Sequence, residues 1–315
     1  MGTAWWRLEM AAPAELEESL LWRLEALGVV RLAVRHRPAT PTERELVAWL
    51  PESDWPAPQR AALEGALQGL GEPFGLAVPQ VRWQRQDDED WSLSWKSHWQ
   101  PDPVGRRLLI LPAWLEPPPE HADRLVIRID PGSAFGTGSH PTTRLCLEAL
   151  EALALERSAQ AGGSLAGLRV ADLGCGSGIL ALAALRLGAD AVAAADTDSL
   201  AVSATAANAA LNGIAPSLRV EMGSLETLEE LLENRPADVL LCNILAPVIE
   251  ALCPNFHRLL APGGVGFLSG LLVDQAPALE RALAEAGWKA ELQARQDPWG
   301  LLTIRAMTPN GIPVA

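Results

Sequence analysis

The run Val170-Ala171-Asp172-Leu173-Gly174-Cys175-Gly176-Ser177-Gly178 decides how this chain folds: an apolar strand meets an acid and three alternating glycines, and a helix opens near Ser177. Glycines at 174, 176 and 178 let the backbone turn sharply and approach a ligand with no Cβ in the way. The opening helix turns free N–H groups and its positive dipole end into the same space. An ordinary strand-to-helix turn would also explain three glycines. The next strand, Ala191 to Ala195, ends in Asp196, an acid at the strand tip able to accept two ribose hydroxyls, and with it the segment reads as a cofactor cradle.

The spacing separates cofactors. A dinucleotide fingerprint, G-x-G-x-x-G/A, needs a small third residue where helix packs on strand, and Ile179 stands there instead. The order acid-x-G-x-G-x-G resembles the first motif of the seven-stranded methyltransferases that use S-adenosylmethionine.

The chain has 315 residues, enough for two domains, and 49% hydrophobic residues support real cores. No stretch approaches about 18 uninterrupted apolar residues, and Met1 to Arg7 has no basic region leading an apolar one, so neither membrane nor export is expected. Cys146, Cys175, Cys242 and Cys253 form no C-x-x-C pair and no metal-ligand spacing with the histidines. They read as reduced thiols of a cytoplasmic protein without a metal. A net charge of −14 argues against DNA or bulk RNA as partner and would steer in a basic one. With 12 Trp and no Tyr, chemistry through a tyrosine hydroxyl is excluded.

Strand alternation at Trp5 to Met10, helical spacing of Leu16, Leu20, Leu24 and Leu27, and alternation again at Val29 to His36 predict a small α+β sandwich. Pro41 to Leu50 and Pro58 to Leu70 look helical, and Val78 to Gln86 returns to strand. Trp91, Trp95 and Trp99 read as one buried helix face behind the acidic run Asp87 to Asp90. Two strand-like pieces, Arg106 to Leu111 and Arg124 to Ile129, flank the stiff spacer Glu116-Pro117-Pro118-Pro119-Glu120. The expected organisation is a small α+β domain over 1–100, a linker and junction over 101–130 and a cofactor-binding domain over 131–315. In the last, seven strands are expected near 169–172, 191–196, 218–222, 238–242, 264–269, 289–295 and 301–305, alternating with helices in the doubly wound manner.

Two further segments carry chemistry. Asp130 to Thr143 holds glycines, hydroxyls and Phe135, a loop able to wrap a ligand, with Pro141 placed for the first turn of the following helix. His140 lacks an acid partner or nucleophile nearby and reads as a loop or capping residue. Asp238 to Cys242 is an apolar strand that delivers Asn243 to the carboxyl edge of the sheet, where open α/β sheets bind ligands. Its amide oxygen can hold an amine with the lone pair aimed at a methyl group; helix capping is the competing role. Asn-Ile-Leu-Ala at 243–246 has no aromatic to stack on a flat base and suits an aliphatic amine better.

Together these residues resemble one family, the bacterial methyltransferases of large-subunit ribosomal protein eleven (PrmA). The likeness covers Asp-Pro-Gly-x-Ala-Phe-Gly-Thr-Gly-x-His-Pro-Thr-Thr at 130–143, Gly-Cys-Gly-Ser-Gly-Ile-Leu-Ala at 174–181, Asn-Ile-Leu-Ala at 243–246 and Ser-Gly-Leu-Leu-Val-Asp-Gln-Ala at 269–276. Trp95-Lys96 and Gly105-Arg106-Arg107-Leu108 extend it. The resemblance implies that Thr143, Gly174, Asp196 and Asn243 bind S-adenosylmethionine, with Phe135 and Gly136 in the loop beside it, and the reading of the cradle itself adds Asp172, Gly176 and Gly178. It further implies a ferredoxin-like first domain that recognises the ribosomal protein and presents Lys side chains and the N-terminal amine. A monomer is the family expectation. Departures are a long Glu156 to Gly167 segment and a tail beyond Arg305. The residues leave open a methyltransferase of another amine, or a non-catalytic assembly factor that keeps the cofactor as structure; Ile179 disfavours a nicotinamide dehydrogenase.

Overall fold

A computed structural model describes residues 4–29, 31–37, 40–86, 99–130, 138, 140–157 and 163–307. The chain divides into two compact units, with the boundary between Gln100 and Pro101.

The first unit runs β1 (Trp5–Ala11), α1 (Glu17–Ala26), β2 (Leu32–Arg37), β3 (Thr40–Pro51), α2 (Ala57–Leu67) and β4 (Arg82–Gln86). Its four strands stand in the order β2-β3-β1-β4, and every neighbouring pair is antiparallel. Leu8 and Met10, two apart on β1, meet Leu20 and Leu24, four apart on α1, with Leu63 and Leu67 of α2 in the same buried cluster. Strand and helix periodicities thus present matching apolar faces.

Residues 41–50, expected to be helical, are the central part of β3. Leu46, Ala48 and Leu50 enter the helix-facing core at a spacing of two, and Val47 and Trp49 between them are buried as well. A strand covered on both faces reads as a continuous apolar run, in which the four-residue spacing of Leu46 and Leu50 fits either period. The expected tryptophan face lies outside the described residues except for Trp99, whose Nε1 donates to the Leu32 carbonyl at 3.4 Å.

The second unit opens with a three-stranded sheet, β5 (Asp102–Val104), β6 (Leu108–Pro112) and β7 (Leu125–Ile129), antiparallel and then parallel. Residues 101–130 are therefore not a linker. Every residue of β6 is buried, as Leu-Leu-Ile-Leu-Pro demands. The proline run is the crossover that the parallel pairing of β6 and β7 requires.

After α3 (Pro141–Arg157), strand and helix alternate: β8 (Arg169–Leu173), α4 (Ile179–Arg186), β9 (Ala191–Asp196), α5 (Ser199–Leu211), β10 (Leu218–Met222), α6 (Leu225–Leu231), β11 (Ala237–Asn243), α7 (Ala246–Leu252), β12 (Leu260–Leu272), α8 (Ala276–Glu285), β13 (Trp288–Gln296) and β14 (Trp299–Ala306). The strands form one 7-stranded sheet in the order β10-β9-β8-β11-β12-β14-β13. Pairing is parallel from β10 through β12 and antiparallel at β14 and β13. From β8 the chain winds outward through β9 and β10, then returns to the other side of β8 as β11. That reversal leaves a crevice at the carboxyl ends of β8 and β11. Helix α4 is buried from Ile179 to Ala184 because β8 and β9 lie against one side of it and β7 against another.

Candidate active site

Three neighbouring strands deliver the site. β8 ends in Asp172-Leu173 before the glycine turn, β9 ends in Asp196 and β11 ends in Asn243. Gly174, Gly176 and Gly178 all have positive φ, at 77°, 55° and 79°. A Cβ on Gly174 would stand 2.4 Å from Ile244 Cγ2, and one on Gly178 would stand 2.8 Å from Thr205 Cγ2. Conformation and space together make glycine necessary at both positions. The turn is tied to β9, since Gly174 and Cys175 both donate their N–H to the Ala195 carbonyl, at 2.9 and 3.1 Å.

Asp196 is half-buried. One carboxylate oxygen accepts the Gly176 N–H at 2.9 Å and the other the Asp198 N–H at 3.0 Å. Each oxygen retains lone-pair capacity for a diol. Burial raises its pKa above the usual carboxylate value, against the lowering effect of those two N–H groups.

Asp172 is fully buried below the turn. Oδ2 accepts the Ala181 N–H at 3.1 Å, and Oδ1 is buried without a hydrogen-bond partner. Burial, with a smaller contribution from the Asp196 charge, raises its pKa to about 7. Such a carboxyl suits a neighbour carrying positive charge, which would favour the ionised form. The titration has a sign. Below about pH 4 the group is protonated in folded and unfolded chains alike. As pH rises toward 7, the unfolded chain releases a proton that the folded chain keeps, so stability falls, and above 7 the full penalty applies. Asp172→Asn removes this titration. In chemical denaturation of the cofactor-free protein, the stability of the variant relative to the parent should grow by up to about 4 kcal/mol from pH 4 to pH 8, three pKa units' worth. A relative stability independent of pH would contradict the assignment.

Asn243 Nδ2 donates to Thr143 Oγ1 at 3.2 Å, joining β11 to the buried first turn of α3. With the nitrogen so engaged, the amide oxygen is the end available to accept from a substrate. Pro141 occupies the first position of α3. His140 caps that helix: its Nδ1 accepts the Thr142 N–H at 3.3 Å and pairs with Thr142 Oγ1 at 2.8 Å, while the ring packs edge-on against Trp299. This is the capping role. Phe135 and Gly136 lie outside the described residues. Cys175 and Cys242 are buried thiols whose pKa values burial pushes up, which makes them inert as nucleophiles.

The structure thus gathers Asp172, Gly174, Gly176, Gly178, Asp196, Asn243 and Thr143 at one rim of the sheet. It adds two residues that the sequence reading missed, Thr205 and Asn208 of α5. Thr205 Oγ1 donates to the Gly176 carbonyl and Asn208 Nδ2 to the Ser177 carbonyl, both at 2.9 Å. Their signal was present: Thr205, Asn208 and Asn212, spaced by three and four, put one polar stripe on an alanine-rich helix.

The doubly wound sheet, with a glycine turn, a strand-end acid and a strand-end amide at its switch point, is an α/β methyltransferase fold, and the donor set fits S-adenosylmethionine. An unpartnered buried carboxylate oxygen and a turn that a Cβ would fill accord with a bulky cationic ligand. The chain belongs to the ribosomal protein L11 methyltransferase (PrmA) family, whose model matches residues 4–307. Proteins of that name are 63% identical over 302 residues in Synechococcus sp. (strain RCC307), covering 96% of this chain and 97% of the relative, and 62% identical over 297 residues in Parasynechococcus marenigrum (strain WH8102), covering 94% and 99%. The crystal structure of a ribosomal protein L11 methylase from Lactobacillus delbrueckii subsp. bulgaricus is 36% identical with a TM-score of 0.55, covering 66% of this chain and 99% of that one. The protein is a methyltransferase enzyme that uses S-adenosylmethionine.

Proposed function

We propose that this enzyme methylates amines of large-subunit ribosomal protein L11, both Lys side chains and the N-terminal amine. The naming of its relatives supports the substrate. The observation that carries the chemistry is the Asn243–Thr143 hydrogen bond, which commits the amide nitrogen and leaves the oxygen to accept an amine N–H.

The cofactor, when bound, supplies an electrophilic methyl group on a sulfonium. Asp196 would hold its ribose, the turn from Gly174 to Gly178 would receive its backbone-facing side, and Asp172 would balance its charge from below. Thr143 orients Asn243, and Asn243 orients the acceptor nitrogen. Phe135 and Gly136 belong to the loop proposed to cover the cofactor. Asn243 orients rather than ionises, so the amine must arrive neutral. A Lys at pKa about 10.4 is neutral roughly 0.04% of the time at pH 7, and an N-terminal amine near 7.7 to 8.0 about 10 to 15%. Desolvation beside a cation lowers both, and the proton leaves to water before the site closes.

Residues 1–100, with a β-α-β-β-α-β order and the antiparallel sheet β2-β3-β1-β4, form in this reading a ferredoxin-like recognition domain. The second unit is catalytic and doubly wound, of the Rossmann-like methyltransferase kind. Among the described residues no helix is long and apolar enough to cross a membrane, and the four cysteines are free and buried, in keeping with a cytoplasmic enzyme.

The test is transfer itself. Incubated with S-adenosylmethionine and purified L11, the enzyme should add methyl masses to L11 that peptide mass spectrometry assigns to Lys and the N-terminus. Unmodified L11 after incubation with cofactor-saturated enzyme would refute the substrate.

A further inference from the structure

In the second unit a buried side chain joins the glycine turn after β8 to the end of β7. Asn208 of α5 donates from Nδ2 to the Ser177 carbonyl in the cradle at 2.9 Å, and its Oδ1 accepts the N–H of Asp130 at 3.0 Å, where the 130–143 segment begins. One turn along, Asn212 Oδ1 accepts the Arg128 N–H at 2.9 Å and Nδ2 donates to the Arg128 carbonyl at 2.7 Å.

The match is geometric. Two residues of strand advance about 6.6 Å and four residues of helix about 6 Å, so Asn208 in the last turn of α5 and Asn212 at its C-cap meet Asp130, just beyond β7, and Arg128 within it. The edge of the three-stranded sheet receives from a helix the partners that another strand would supply. Thr205 touches the cradle end of this stripe, through the Gly176 carbonyl and Cys175 Sγ, and Asn212 the strand end, its own helix and Arg186 in the last turn of α4, away from the cradle. Asn208 alone of the three touches both.

We propose that Asn208 is a positioning residue for cofactor binding, fixing the cradle relative to Asp130 at the end of β7. The proposal rests on the reading of residues 172–178 as the cofactor cradle. Asn208→Ala and Asn212→Ala each remove amide contacts to the backbone at the end of β7, so a structural role alone would make them alike. In calorimetric titration of the full-length protein with S-adenosylmethionine, Asn208→Ala should raise Kd about tenfold or more. Asn212→Ala should stay within about twofold of the parent, although both variants lower Tm.

Asn208→Asp provides a second test of nearly the same shape. Its carboxylate still accepts the Asp130 N–H but opposes the Ser177 carbonyl; burial raises its pKa above the usual carboxylate value, and once protonated it can donate there again. The ratio of variant to parent Kd should therefore fall as pH falls, and taking the ratio cancels the titration of Asp172 and Asp196, present in both. Parent-like Kd for folded Asn208→Ala, equal weakening by Asn212→Ala, or a pH-independent ratio for Asn208→Asp would overturn the proposal. If the parent itself takes up no cofactor, the cradle reading falls and this inference with it; a parent that binds while its Asn208 variants bind equally sinks the inference alone.

Discussion

Asn243→Ala should lower kcat on the protein substrate about 100-fold or more, the cost of a misaligned acceptor, while the Kd for S-adenosylmethionine changes by only about threefold. The asymmetry follows from the arrangement at the rim. The glycine turn from Gly174 to Gly178 follows β8 and Asp196 ends β9, and these would remain in place in the variant. What disappears is the oxygen proposed to hold the amine and the restraint that Thr143 imposes on it at 3.2 Å. Thr143→Val should give the same pattern more weakly, because Asn243 survives without its orienting partner. Steady-state kinetics beside calorimetry checks both. A large loss of cofactor affinity with kcat intact would place Asn243 in the cofactor shell and leave the amine unassigned.

The second large effect is expected from removing the first unit. A chain beginning at Pro101 keeps β5, β6 and β7 and should still bind cofactor with parent-like affinity, yet transfer to intact L11 should fall by at least about 1,000-fold, the loss of most of a protein-binding surface. The cut must come before β5. Truncation near residue 110 would remove the Val104 to Leu108 turn, whose Arg106 and Arg107 N–H groups donate to buried Glu151 of α3, and would strip that carboxylate of both of these donors. Retained transfer to L11 by the shortened chain would remove the recognition role from residues 1–100.

Much of the catalytic half was legible because strand and helix there announce themselves locally. Ala191–Asp196 and Leu218–Met222 are short apolar or alternating runs closed by turn residues, and the doubly wound order leaves one edge for Gly174, Asp196 and Asn243 to share. Pairing of Asn243 with Thr143 was not legible, since one hundred residues separate them and no local pattern encodes the contact. The errors have a common cause in burial on two faces. Both 46–50 and 108–112 are apolar throughout, so alternation, the signal that distinguishes a half-exposed strand, is erased. At 108–112 the strand was seen but its cover was not. A run that apolar cannot lie in a solvated linker, and α4, apolar on every side, needed a second layer of its own. The stripe of Thr205, Asn208 and Asn212 was missed for the opposite reason: polar residues on a helix are ordinarily left to solvent, and only the burial of these three shows that they answer backbone groups elsewhere.

Titration of the intact protein with S-adenosylmethionine, set beside Asp196→Ala, tests the cradle most directly. One-to-one binding by the parent, weakened about 100-fold in the variant by the loss of two hydrogen bonds to a charged group, is the predicted result. A parent that takes up no cofactor, or a variant that binds as tightly as the parent, would contradict it.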